Sequence, residues 1–67
     1  MTVKSDLEKA IASSEAAKGS YSMMAQSTED EQVKQTFEQM SSDIDRHLQY
    51  LNGRLNFLNE NNELNQQ

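Results

Sequence analysis

The chain of 67 residues contains no cysteine, no proline and no tryptophan, and it has only two glycines. Without cysteine there is no disulfide framework, no thiolate metal site and no cysteine nucleophile, so the sequence does not indicate a redox compartment. Without proline, and with glycine only at positions 19 and 53, few residues interrupt a helix. The sequence therefore predicts a chain that is helical throughout.

Long apolar runs and positive charge are also scarce. The longest apolar runs have three residues, such as Met23-Met24-Ala25, which is too short for a membrane span or for the core of a secretory signal. Six Lys and Arg residues against eleven Asp and Glu give a net charge of −5, the wrong sign for binding a nucleic acid or an anionic membrane surface. We expect a soluble, cytoplasmic protein with no nucleic-acid partner and no direct membrane insertion.

Apolar residues make up 34% of the chain, which is little for so short a protein to fold alone. The apolar residues that are present recur at the spacing of a helix. The first helix is predicted to begin at the Ser5-x-x-Glu8 capping box, with Thr2 as an alternative cap one turn earlier. Its seam follows a regular spacing of four and three residues: Val3, Leu7, Ala10, Ser14, Ala17, Tyr21, Met24 and Thr28. The middle of this seam has almost no large side chain.

A second capping box, Thr28-x-x-Glu31, predicts a turn at about residues 26–28 and a second helix after it. Three methionines near the turn are expected to pack in a core cluster with Tyr21 and Phe37. The second helix is amphipathic, with apolar residues at Val33, Phe37, Met40, Ile44, Leu48, Leu51, Leu55 and Leu58. The fold class is therefore all-α, an antiparallel helical hairpin that forms a single domain over residues 1–60.

The end of the second helix has two open alternatives. A tight turn places Val3 beside Gly53, so Leu55, Phe57 and Leu58 extend beyond the first helix with nothing in the chain to cover them. At Gly53 the helix either bends or ends, and in the second case a short third helix follows. Residues 61–67 are rich in amides and are expected to form a frayed polar tail.

Self-association would cover this surplus of apolar surface. Tyr50 and Phe57 are seven residues apart and lie beside the leucine stripe, so they widen the apolar face beyond what one helix can cover. Two hairpins are expected to dimerise into a four-helix bundle. The predicted interface with a partner consists of Leu48, Tyr50, Leu51, Leu55, Phe57 and Leu58.

Residues with catalytic or metal-binding chemistry are few. His47 is the only histidine, and Asp43 lies one helical turn before it, but the Glu-x-x-His motif of helical di-iron sites is absent. A boundary histidine is the simpler interpretation. Asp43 and His47 are thus remote candidates for metal ligands, and only in a symmetric dimer. The serines match no nucleophile motif and there is no glycine-rich phosphate loop, so neither an enzyme nor a cofactor is expected.

Several features together resemble a known family. These are the opening Met1-Thr2-Val3, the serine- and alanine-rich first helix, the turn from Ala25 to Asp30 with Lys34 and Phe37 after it, and the length of the second helix. They resemble domain-of-unknown-function family 1657, small uncharacterised proteins of endospore-forming bacteria. Its members often carry proline at the position of Gly53, which implies a helix restart there. The small secreted hairpin proteins with a Trp-x-Gly turn fit less well, because this chain has no tryptophan and no glycine in its turn.

The resemblance implies no activity and no catalytic residues, but it implies a sporulation context and a location in the forespore or spore. Three functions follow as hypotheses. The first is a non-enzymatic, homodimeric structural or adaptor protein. The second is an accessory subunit that binds a spore membrane-channel protein or another small helical protein. The third and most remote is a metal-binding helical bundle.

Overall fold

The computed structural model describes the backbone of residues 2–65 and the side chains of residues 2–60. Within these limits the chain consists of two helices, α1 (Val3–Ser27) and α2 (Glu31–Asn65), joined by residues 28–30. The helices pack against each other as an antiparallel hairpin that measures 56 × 18 × 12 Å. The predicted all-α hairpin is confirmed. The predicted frayed tail, residues 61–67, stays a prediction: α2 extends to Asn65, and Gln66, Gln67 and the side chains after residue 60 lie outside the described residues.

Helix α1 begins at the earlier of the two predicted caps. The hydroxyl of Thr2 accepts a hydrogen bond of 3.0 Å from the backbone N–H of Ser5, and Thr2 itself has an extended backbone. The Ser5-x-x-Glu8 box is therefore not the start of the helix. Ser5 lies inside the first turn, and its own N–H is one of the donors that a cap must satisfy.

The turn lies two residues later than predicted, because Thr28 caps the end of α1 and Asp30 caps the start of α2. The N–H of Thr28 donates to the carbonyl of Met24 at 2.9 Å, which closes α1. The hydroxyl of Thr28 then accepts from the N–H of Asp30 at 3.2 Å. Asp30 Oδ1 accepts from the N–H of Val33 at 3.0 Å, so Asp30, not Thr28, caps α2. Its negative charge also suits the positive end of the helix dipole.

Helix α2 runs without interruption through Gly53. The short third helix predicted there as one alternative is absent, because residues 31–65 form one continuous helix. The other alternative, a bend within a continuous helix, stays a prediction. Asn52 keeps helical geometry, and its side-chain amide donates to the carbonyl of Leu48 at 3.0 Å. Gly53 has no neighbour within 4 Å of the position that a Cβ would occupy. A single glycine on an exposed helix face costs only about 1 kcal/mol relative to alanine, which packing along the rest of the helix can offset.

Two contacts between the helices define the register of the hairpin. The rings of Tyr21 and Phe37 stack with centroids 5.9 Å apart, and the hydroxyls of Ser22 and Ser41 lie 3.1 Å apart. Extending this register places Val3 beyond Gly53, near the level of residues 55–60. Leu55 and Leu58 are half-buried in the single chain. The prediction that they extend past α1 is wrong, because the later turn shifts α2 along α1.

The described part of the core is very small, with only Ala25 and Ile44 buried. Both helices use seams with heptad-like spacing of three and four residues. The seam residues, all half-buried or buried, are Leu7, Ile11, Ser14, Lys18, Tyr21 and Ala25 on α1, Thr28 in the turn, and Lys34, Phe37, Ser41, Ile44, Leu48, Leu51, Leu55 and Leu58 on α2. The register brings Ile44 level with the small residues in the middle of α1. Their lack of bulk lets a large side chain be buried there.

Replacing Gly53 with alanine tests whether α2 is continuous. The Gly53→Ala variant should be about 0.5–1 kcal/mol more stable, because alanine has a higher helix propensity and meets no neighbour. Urea unfolding followed by circular dichroism measures the change. Gly19→Ala is the matched comparison, since Gly19 is also helical and open on its Cβ side. Stabilisation at Gly19 but destabilisation at Gly53 would contradict a helix that continues through Gly53.

Replacing Asp30 with alanine tests the assignment of the cap. The Asp30→Ala variant should lose about 1 kcal/mol, because the N–H of Val33 would lose its side-chain acceptor. Thermal unfolding measures the loss. Glu29→Ala is the control, since it removes the same charge from an exposed neighbour and should change stability by less than about 0.5 kcal/mol. Equal losses in both variants would show that Asp30 contributes charge alone.

Candidate protein-interaction surface

The seam divides the hairpin into two different sides. Residues that follow a seam position, such as Ser22 on α1 and Asp45 on α2, lie on one side, where Ser22 contacts Ser41 and Asp45 contacts Lys18. We call this the polar side. Residues that precede a seam position lie on the opposite side, which we call the exposed apolar side. It consists of Asp6, Ala10, Ser13, Ala17, Ser20, Met24 and Ser27 on α1, and of Val33, Thr36, Met40, Asp43, His47, Tyr50, Arg54 and Phe57 on α2.

The polar side is closed by contacts within the chain. Lys18 Nζ lies 2.6 Å from Asp45 Oδ1, and the hydroxyl of Ser41 approaches the carbonyl of Lys18 at 3.5 Å as well as bonding to Ser22. Both partners of the ion pair are about half-exposed, so the pair contributes no more than about 1 kcal/mol. A small cleft of about 200 Å³ lies beside these contacts. The polar side thus fixes the register but presents little apolar surface.

At the turn end of the exposed apolar side lies a group of uncharged residues. Met24 is 46% exposed, and Val33 and Met40 are each nearly 40% exposed. Met23, farther round α1, is 71% exposed and forms an open groove of about 390 Å³ with Ser20, Met24, Gln26 and Ser27. The predicted core cluster is therefore confirmed for Tyr21 and Phe37 and wrong for the methionines. The two rings stack in the seam, while these three methionines face outward.

At the opposite end of the same side lie two exposed aromatic residues. Tyr50 is 68% exposed and Phe57 is 51% exposed. The guanidinium carbon of Arg54 lies 4.9 Å from the centroid of the Phe57 ring, a cation–π contact that partly covers the ring. Aromatic rings placed beside an exposed Arg are typical of the energetically important parts of protein interfaces.

The six residues of the predicted interface fall into two groups. The four leucines Leu48, Leu51, Leu55 and Leu58 are half-buried along the seam against α1. Tyr50 and Phe57 are exposed. The two aromatic residues are thus more accessible to a partner than the four leucines, and the contact of all six with a partner stays a prediction.

Asp43 and His47, the remote metal candidates, lie between the methionine and aromatic ends. Asp43 Oδ1 accepts hydrogen bonds from the amide of Gln39 at 2.9 Å and from the guanidinium of Arg46 at 2.6 Å. The hydrogen bond from Gln39, followed by the one from Arg46, lowers the pKa of Asp43 below its usual value, so it carries a full negative charge at neutral pH. Among residues with described side chains no three His, Asp or Glu groups come together as a metal site. A metal here would need ligands from a second chain.

Sequence reasoning missed the outward position of Val33, Met24 and Met40. The signal was present in the spacing, because Val33 and Met40 are seven residues apart and each directly precedes a polar residue that lies in the seam. The prediction missed these outward positions because it assigned the most apolar residues to the seam. The structure instead places Lys34 and Ser41 there, together with Ala25 in place of Met24.

Over the stretch that the structure describes, neither helix is long and apolar enough to cross a membrane. Helix α2 has the length, but charged and amide side chains recur on every turn. The exposed apolar side is a strip along one side of the hairpin.

Comparison with known proteins identifies the chain through one family. Neither the curated proteins nor the solved structures gave a match. A family model described as "Protein of unknown function (DUF1657)" matches residues 7–55, which is 49 of the 67 residues. The match covers the seam of α1, the turn and α2 as far as Leu55, and no enzyme family is indicated. The chain belongs to this family of small helical proteins of unknown function.

Proposed function

We propose that this protein is a non-enzymatic hairpin that works by association, as a homodimeric structural or adaptor protein. The proposal rests on one observation: few apolar residues of the chain are buried, and many are exposed. In the described residues only two apolar side chains, Ala25 and Ile44, are buried, whereas seven large apolar residues are exposed. A folded hairpin of this kind is held together by one seam and offers a second apolar surface to a partner.

The total accessible surface supports the same proposal. The chain exposes 5108 Å², while a compact protein of 7.6 kDa would expose about 4,300 Å². Its radius of gyration is 15.8 Å, against about 11 Å for a compact domain of this length. The excess of roughly 800 Å² equals the area that each partner buries in a standard stable interface. Burial of such an area by a second hairpin would form a four-helix bundle.

A sporulation context forms part of the proposal and comes from the family resemblance alone. It would place the protein in the forespore or spore. A fluorescent fusion in a sporulating host should then accumulate in the forespore. Equal fluorescence in both compartments, or fluorescence in the mother cell only, would contradict this part of the proposal and leave the association untouched.

Sedimentation equilibrium tests the association. At micromolar concentration the wild-type chain should sediment at twice its mass of 7.6 kDa. Met40→Lys and Tyr50→Lys should each weaken the dimer at least about tenfold, because a buried ammonium without a partner costs more than the 1.4 kcal/mol that a tenfold change represents. The seam leucines are unsuitable for this test, since charge there would separate α1 from α2.

Gln49→Lys is the matched control for both variants. It adds the same charge to the same helix, but Gln49 is exposed and lies on the polar side. Its dimer should be as tight as that of the wild type. A well-folded helical monomer in the wild type would overturn the proposal. A wild-type chain that is partly unfolded alone, and gains helix only with another protein, would instead support the accessory-subunit function.

A further inference from the structure

We infer that α2 carries a second seam, through which a second copy of this chain packs antiparallel, with Asp43 of each copy beside His47 of the other. The inference rests on the proposed function and specifies the orientation of the two copies. The second seam runs along the exposed apolar side. It comprises Thr36, Met40, Asp43, His47, Tyr50, Arg54 and Phe57.

The spacing of this second seam is that of a helix pair. Successive members are separated by four, three, four, three, four and three residues. Such a repeat keeps one line of side chains facing a partner helix along many turns. The intramolecular seam of α2, from Lys34 to Leu58, has the same repeat one step round the helix. Helix α2 thus has two adjacent seams, and α1 occupies only one of them.

Exposure agrees with an unoccupied second seam. Its three apolar members, Met40, Tyr50 and Phe57, are all among the exposed large apolar residues. Beside it, α1 presents Ser13, Ser20 and other small side chains on the same side of the hairpin. Small residues let a neighbouring helix lie close, so α1 does not obstruct a helix packed along the second seam.

Charge along the second seam selects the antiparallel orientation. In a parallel pair each residue would lie beside its own copy, so Asp43 would meet Asp43 and Arg54 would meet Arg54. In an antiparallel pair centred near residue 45, residues at equal distances on either side of the centre meet. Asp43 and His47 are two residues either side of 45, so each Asp43 carboxylate would lie beside an imidazole N–H. Both intrachain bonds to Asp43 end on Oδ1, so Oδ2 can accept from His47 of the second copy.

Apolar residues of the exposed apolar side of α2 follow the same symmetry. Met40 and Tyr50 are each five residues from position 45, and Val33 and Phe57 are each twelve residues from it. The antiparallel pair therefore places Met40 against the ring of Tyr50 in the other copy, a sulfur–aromatic contact. It also covers the aromatic end of each hairpin with the methionine end of the other. The centre lies at the middle of the packed length of α2, residues 31–60, so the two hairpins overlap fully.

The acidic turn favours the same orientation. Glu29, Asp30 and Glu31 are consecutive, and the whole chain has a net charge of −5. Parallel hairpins would place six carboxylates side by side at one end. Antiparallel hairpins place the two turns at opposite ends of an assembly whose single hairpin is 56 Å long, well beyond the range of unscreened repulsion.

Cross-linking between copies tests the orientation. Because the chain has no native cysteine, only the introduced thiols can react with the cross-linker. Thr36→Cys and Arg54→Cys change two exposed residues of the second seam and leave its apolar members intact. In the antiparallel pair these positions meet, whereas two copies of Thr36→Cys lie about 27 Å apart along the helix axis. The two variants, one carrying a mass tag, are mixed, allowed to exchange and treated with a short bismaleimide cross-linker.

The expected result is at least about tenfold more cross-linked dimer in the mixture than with either variant alone, because thiols held together react at millimolar effective concentration. Met40→Cys mixed with Tyr50→Cys is a second pair for which the same result is expected. Glu38→Cys mixed with Gln49→Cys is the matched control on the polar side, and it should give no such excess. Sedimentation equilibrium confirms that each mixture is dimeric before the reaction.

The outcomes separate the orientation from the association. Efficient cross-linking of each variant with itself would show a parallel pair and overturn the inference. A dimer in sedimentation that gives no excess for either mixed pair would also overturn it, because another face would then hold the copies together. In both cases the proposed homodimer stands. A monomeric wild-type chain would overturn both.

Discussion

A hairpin of two helices can cover only one stripe on each of them, and this geometric limit governs the whole molecule. In larger helical domains a third or fourth helix covers the remaining apolar flank. Here the described residues offer no such layer, so only Ala25 and Ile44 are buried among them. Every other apolar residue with a described side chain is half-buried or exposed. The small core of the hairpin and its proposed association therefore arise from the same limit.

The composition of the seam follows from that limit. Because small residues fill the middle of α1, its backbone can lie close to α2. This close approach buries Ile44 although the side chains of α1 that face it are small. Polar side chains then enter the seam where larger apolar ones would hold the helices apart. Ser41 bonds to Ser22, and the aliphatic stem of Lys18 lies along the seam while its ammonium reaches Asp45. Such contacts contribute little energy, but they fix one register, and the register decides which residues remain outside.

Sequence patterns predicted the fold better than they predicted the surface. Two helices and one turn followed directly from periodicity and from capping residues. The exact caps did not, because Thr2, Ser5, Thr28 and Asp30 are all chemically able to cap, and only the three-dimensional turn shows which hydroxyl or carboxylate reaches which N–H. A shift of two residues in the turn then moved α2 along α1. That shift placed Leu55 and Leu58 half-buried in the seam beside α1, whereas Tyr50 and Phe57 are exposed because they lie off the seam.

The polar residues on the exposed side of α2 carry more information about a partner than the apolar ones do. Methionine and tyrosine tolerate many neighbours, so their exposure argues for association without specifying a geometry. Asp43, His47 and Arg54 are less tolerant, because burying like charges beside one another costs far more than a suboptimal apolar contact returns. The placement of opposite chemistry at equal distances from residue 45 favours one orientation by disfavouring the other. A short acidic chain with so little apolar area has no large interface with which to specify the orientation of a partner. Polar and charged residues can specify it instead, because the helix can carry them exposed before any partner binds.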